Sequence, residues 1–237
     1  MFKLLIASIY LFFYMLFTIP QLVRVKRWQK QKQFHKIDRL VSKMAGKFGR
    51  SFVRVTGSRV SVSGAEQIPA DEAVLFVCNH QSLYDILLLL GYIPKAKGFI
   101  AKKELAKMPL ISTWMRYLPS VFMDRKNVRQ SLTAINQGIA ALKSGHSLVV
   151  FPEGTRSRDG KLLDFKPGSL KLAIKSGVPI VPITIKGSGE IFGWSGWRLK
   201  RADAELIVSP PLYADEYQAM DIHALSSRVR DLIAANL

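Results

Sequence analysis

Residues 73–93 read AVLFVCNHQSLYDILLLLGYI. The stretch through Cys78 is a short, unbroken apolar run, the pattern of a strand buried on both faces. A polar interruption, NHQS, separates it from the apolar run ILLLLGYI. The spacing predicts a strand over Val74–Cys78 and a helix from Ser82 to about Tyr92. A buried strand running straight into a helix opens an α/β layer fold. The turn between them carries His80, five residues before Asp85. One reading is a helix start, because Ser82-x-x-Asp85 fits a capping box. The other is catalytic. An imidazole can take a proton from a hydroxyl, and a carboxylate on its second ring nitrogen fixes the tautomer. Spacing alone leaves both open, and they do not exclude each other.

Cys78 lies two residues before His80, so both face one side of the strand. A Cys–His acyl-transfer pair is one option. A cysteine inside an apolar strand is more simply packing, and Ser82 is better explained as the cap. Hence no protein nucleophile stands out, and the simpler scheme has His80 activating a hydroxyl of the substrate itself. Cys78 is the only cysteine, which excludes an intrachain disulfide and a cysteine-based zinc cluster.

Downstream, strands and helices alternate. Strands are expected at 59–63, 98–101, 120–123, 148–151, 180–185 and 206–208. Helices are expected at 104–118 (interrupted near Pro109), 127–144, 167–176 (ended by Gly177) and 221–236. GSGEIFGWSGW (187–197) reads as a loop near a surface or opening. In such folds ligands bind beyond the carboxyl ends of the strands. Three charged clusters fall there: His80 and Asp85, then Asp124 and Arg125, then Glu153 and Arg156 in FPEGTRS. Gly154 permits a close backbone approach, and Arg156 and Arg125 have the planar fork that grips phosphate. Taken singly, each arginine also reads as a solvated surface charge.

The N-terminal part has a different character. Residues 4–23, LLIASIYLFFYMLFTIPQLV, contain no charge. Twenty helical residues reach about 30 Å, a bilayer core. Lys3 is a thin n-region and no small-x-small cleavage site follows, which argues against a signal peptide. RVKRWQKQK (24–32) then favours keeping the rest of the chain on the cytoplasmic side. Over 34–48 an apolar stripe (Phe34, Ile37, Val41, Met44, Phe48) alternates with Lys36, Arg39, Lys43 and Lys47. This basic amphipathic helix suits either an anionic membrane surface or packing on the domain behind it. The whole 237-residue chain holds 35 Lys+Arg against 17 Asp+Glu, formally +18. Residues 1–64 hold 13 of those bases and one acid, Asp38. Such polarity calls for an anionic partner: membrane lipid, an acidic carrier, or nucleic acid. Nucleic acid is disfavoured, since no nucleic-acid motif is present.

NHQSLYD, AKKEL with FMDR, FPEGTRS and VPIVPITI, in this order and spacing over about 57–210, resemble the glycerolipid acyltransferase family. The likeness is narrower still to its lysophosphatidate acyltransferases. The resemblance implies an α/β fold: a mixed, mostly parallel sheet flanked by helices, preceded by a membrane-associating two-helix segment. The expected division is an anchor over 1–54 and an acyltransferase domain over 55–237. The family's roles would make His80 the general base and Asp85 its orienting carboxylate. Arg125, Glu153, Gly154, Thr155 and Arg156 would bind the acceptor, Lys102 would meet the acceptor phosphate or the developing oxyanion, and Lys166 is an extra candidate. Amides at the start of the 82–92 helix are the expected oxyanion donors. The implied reaction passes an acyl chain from acyl-CoA or acyl-carrier protein to the sn-2 hydroxyl of lysophosphatidic acid, with no metal and no further cofactor. The expected location is the cytoplasmic face of the inner membrane, among membrane lipids. A sister enzyme acting on another lyso-lipid or glycerol 3-phosphate is the alternative within the family. A basic membrane-binding protein without catalysis is the alternative outside it.

Overall fold

The computed structural model describes residues 2–194, 196 and 198–237. The strands are β1 (Val60–Ser63), β2 (Leu75–Cys78), β3 (Gly98–Lys102), β4 (Val121–Met123), β5 (Leu148–Val150), β6 (Ile180–Lys186) and β7 (Ala204–Val208). They form one sheet in the order β1-β7-β6-β2-β5-β3-β4. Every neighbouring pair is parallel except β6 with β7. The sheet is therefore mixed and mostly parallel, as expected. The helices in chain order are α1 (Phe2–Phe17), α2 (Ile19–Lys30), α3 (Phe34–Thr56), α4 (Tyr84–Tyr92), α5 (Ile111–Tyr117), α6 (Val128–Lys143), α7 (Lys171–Ser176), α8 (Ser188–Ile191), α9 (Ala214–Tyr217) and α10 (Ile222–Ala234).

The unbroken apolar run of β2 follows from its place at the centre. Successive side chains point to opposite faces, and helices cover both. Val74, Phe76 and Cys78 join Phe52, Val53, Leu88 and Leu89 of α3 and α4 in one core. Leu75 and Val77 join Ala134, Leu142, Leu172, Val229 and Ile233 of α6, α7 and α10 in the other. Each fully buried leucine contributes about 1.5–3 kcal/mol, so α4 is held to the sheet by its apolar face. The edge strand β1 is by contrast only half buried, with alternating exposure.

The N-terminal segment differs in detail from its expected form. The first helix ends at Phe17, and a turn at Thr18, whose hydroxyl donates to the Met15 carbonyl at 2.7 Å, leads straight into α2. Pro20 lies in the first turn of α2, where a proline costs no hydrogen bond, and the helix continues to Lys30. The described residues hold one helical stretch, Leu4–Lys30, long and apolar enough to cross a membrane. Leu5, Ile9, Phe12, Phe13 and Phe17 of α1 are exposed. α3 also runs on past Phe48, to Thr56. Its second half crosses α4 so closely that a Cβ on Gly49 would sit 2.3 Å from the Leu87 carbonyl oxygen, and one on Gly91 would sit 2.8 Å from the Arg50 nitrogen. Further back, Ile37 and Val41 are buried against Val25, Trp28 and Trp114. The apolar stripe of α3 is thus largely used within the protein.

Candidate active site

Because β6, β2, β5, β3 and β4 run parallel, their carboxyl ends share one edge of the sheet. Along it stand the loop entering α8, the His80 turn, the Glu153 loop, Lys102 and the Asp124–Arg125 pair. Asn79 holds the turn after β2 in place. Its side chain prolongs the pairing with β6, donating to the Ile185 carbonyl at 2.9 Å and accepting from the Ile185 amide at 2.7 Å.

The His80 ring stacks on Phe151, with centroids 4.1 Å apart. Its Nδ1 lies 2.7 Å from Asp85 Oδ2. The same carboxylate oxygen accepts from the amides of Gln81 at 2.7 Å and Ser82 at 2.9 Å. Ser82 Oγ accepts from the Tyr84 amide at 3.1 Å. α4 begins at Tyr84, so Ser82 does not cap it as a full capping box would, and only the carboxylate half of that pattern, Asp85 accepting from the Ser82 amide, is present. Asp85 ties down the helix start, and that places the carboxylate against His80. Asp85 is completely buried. A carboxylate on Nδ1 leaves Nε2 as the ring nitrogen available to a substrate.

Two contacts of the site join residues more than 100 positions apart. The hydroxyl of Ser188, fully buried at the start of α8, donates to Asp85 Oδ1. The Ser82 hydroxyl donates to the Phe192 carbonyl. The stretch 187–197 thus supplies the last partner of the dyad, and it contains a short helix. Trp194 tucks over Gly160 and Gly189, at both of which a Cβ would collide with its ring, and donates to the Ser157 carbonyl at 3.3 Å. Ser195 and Trp197 of that stretch lie outside the described residues.

Glu153 is buried, and both its oxygens are engaged by backbone. Oε1 accepts from the His80 amide at 2.6 Å, and Oε2 from the Leu163 amide at 3.1 Å. Burial raises its carboxyl above the ordinary range, against the pull of those two amides. Its geometry is that of a brace between the β2 and β5 loops. Gly154 adopts φ +71°, and a Cβ there would lie 2.9 Å from Lys166 Nζ. Arg125 donates to the Gly154 carbonyl, joining the second and third charged clusters. Thr155 and Arg156 are exposed, with no side-chain partner among the described residues. Lys102 is exposed at the end of β3, 3.5 Å from Glu104. Its neighbour Lys103 pairs with Asp124 at 2.5 Å and holds that carboxyl below its usual range.

One expectation is narrowed. Three of the amides at the start of α4 are engaged within the protein, which leaves that of the exposed Leu83 to face an oxyanion. Those of Gln81 and Ser82 serve Asp85, and that of Tyr84 serves Ser82. Cys78 is fully buried, and burial pushes its thiol well above its ordinary value, which withholds the thiolate a nucleophile needs.

The profile of the Acyltransferase family matches residues 59–186, which include His80, Asp85, Arg125 and the Glu153–Arg156 loop. The chain belongs to that family. Among similar members of the Acyltransferase family is a protein of Mycoplasma pneumoniae named probable 1-acyl-sn-glycerol-3-phosphate acyltransferase. It is 36% identical over 186 residues, 74% of this chain and 66% of that one. The human 1-acyl-sn-glycerol-3-phosphate acyltransferase alpha is 33% identical over 177 residues, 73% of this chain and 62% of that one. The chain thus spans just under two thirds of these curated relatives. The crystal structure of the 1-acyl-sn-glycerophosphate acyltransferase PlsC from Thermotoga maritima superposes with a TM-score of 0.83 at 32% identity. That match covers 99% of this chain and 96% of that one. The likeness to PlsC thus extends beyond the profile to the N-terminal helices.

Proposed function

We propose that this protein transfers an acyl chain from an acyl thioester, acyl-CoA or acyl-carrier protein, to the sn-2 hydroxyl of lysophosphatidic acid, giving phosphatidic acid. The observation that carries the reading is the His80–Asp85 pair beside two arginine-bearing loops on one sheet edge. The names of the relatives supply the substrate class.

In the proposed reaction His80 Nε2 takes the proton of the acceptor hydroxyl. The alkoxide oxygen attacks the thioester carbonyl carbon. The tetrahedral intermediate collapses with cleavage of the carbon–sulfur bond. The imidazolium, stabilised by Asp85, returns its proton to the departing thiolate. Arg125 and Arg156 hold the acceptor phosphate. With the amides of Gln81, Ser82 and Tyr84 already bonded, Lys102 is the group we assign to the charge developing on the carbonyl oxygen. The co-substrate is the acyl thioester, with no resident cofactor. Among the described residues no three His, Cys, Asp or Glu side chains converge to hold a metal. We place the site on the cytoplasmic face of the inner membrane, with residues 1–54 as the membrane-associating segment and 55–237 as the catalytic domain.

The test is a transfer assay on detergent-purified protein, crossing acyl-CoA and acyl-carrier donors with several lyso-lipids and glycerol 3-phosphate. His80→Ala should lower transfer by roughly 10²–10⁴-fold with an unchanged thermal midpoint. Wild-type transfer to another acceptor but none to lysophosphatidic acid would move the protein to a sister activity. Undiminished transfer by His80→Ala would remove the base assignment.

A further inference from the structure

A cavity of about 310 Å³ opens between α3 and the segment joining α4 to β3. Lys97 on its wall leads into β3 at the edge where the parallel strands begin, whereas His80 follows β2 at the edge where they end. The lining carries four basic side chains, Lys43, Arg50, Lys95 and Lys97, and no carboxylate.

Capping of α4 accounts for part of this. Arg50 Nη1 donates to the Gly91 carbonyl at 2.6 Å, and Lys97 Nζ to those of Leu89 and Ile93 at 3.0 and 2.9 Å. Cations are favourable at a helix C-terminus. The account leaves donors over. A guanidinium has five N–H groups and an ammonium three. Lys43 makes no side-chain bond among the described residues. Capped carbonyls are neutral acceptors and cancel no charge. Lys95, bonded to Pro69 and Ala70, has Glu72 and Asp71 in its neighbourhood. Lys97 is 4% exposed, and burial pulls its ammonium down to about 7. A buried cation without an anion is costly.

The position of the cavity points to its ligand. α3 follows directly on the helices whose apolar face is exposed, and basic clusters beside such helices meet anionic lipid headgroups. Leu90, Ile93 and Leu118 give the cavity an apolar lining beside its cations. Its volume is at the lower end for small-ligand pockets, about 300 Å³, enough for a headgroup but not a whole lipid. We propose that this cavity binds the phosphate group of an anionic phospholipid, with Lys43, Arg50 and Lys97 meeting the phosphate oxygens. The site is separate from the acceptor site and does not depend on the acyl-transfer reading.

The test uses full-length protein in neutral detergent, with Arg125→Ala and Arg156→Ala silencing the acceptor loops. Short-chain phosphatidylglycerol, short-chain phosphatidylcholine and inorganic phosphate are titrated separately by calorimetry. Phosphatidylglycerol should saturate a single site, more tightly than phosphate, with phosphatidylcholine giving no saturable binding. Lys43→Gln and Arg50→Gln should each weaken it by roughly tenfold. Lys43 makes no bond the fold needs, so its variant reads the site even if Arg50→Gln does not fold. Equal binding of inorganic phosphate would assign free phosphate and overturn the lipid. Absence of saturable binding, or binding indifferent to Lys43→Gln, would overturn the site.

Discussion

At the scale of the residue, Asp85 explains why a short motif is informative. Its two oxygens receive two backbone amides, one imidazole and one hydroxyl. Ser188→Ala removes the hydroxyl from a buried carboxylate and should cost about 1–3 kcal/mol of stability. Activity in the folded fraction should fall too, with a displaced pH–rate profile that Ser188→Thr restores. A normal profile in Ser188→Ala would make Ser188 a packing residue only. Glu153 supports a pH prediction. Burial raises its folded pKa, so the folded state holds that proton more tightly than the unfolded chain. The associated stability is complete below the ordinary carboxyl range and is lost as pH rises through the folded value. The thermal midpoint of wild type minus that of Glu153→Gln should therefore decrease from pH 4 toward neutrality, roughly the carboxylate window. A constant or rising difference would contradict it. His80 and Asp85 were legible because their partnership is local. Ser188 was not, because its partner is 103 residues away. Nor does sequence show that Glu153 bonds the backbone amides of His80 and Leu163, the second of them ten residues on.

At the scale of the element, apolar pattern located the central strands, since a parallel strand buried on both faces is an uninterrupted run. The boundaries that moved did so for tertiary reasons. α2 continues through Pro20 because a proline in a first turn removes no hydrogen bond. α3 reaches Thr56 because its second half is clamped on α4. That clamp is testable. Gly49→Ala places a methyl group against the Leu87 carbonyl, which cannot move without shifting α4. Overpacking of this kind costs roughly 1–3 kcal/mol. The expected result is a lower thermal midpoint for the whole protein in a single transition. An unchanged midpoint would mean that α3 and α4 separate easily.

At the scale of the whole molecule, charge and apolar surface are concentrated together in the N-terminal quarter. A purely electrostatic attachment would be screened at about 1 M salt, where the Debye length is near 3 Å. With the apolar face of α1 exposed, the protein should stay with membranes through such a wash and leave only with detergent. Release by salt alone would show that α1 is not inserted. Order along the chain has a last consequence. The apolar helices leave the ribosome first, His80 and Asp85 follow, and Ser188 comes 103 residues after Asp85. At about 5–20 residues per second, that interval is roughly 5–20 s of synthesis. If α1 inserts as proposed, the nascent chain would meet the bilayer before Asp85 has received its last hydrogen bond, and attachment would precede completion of the site.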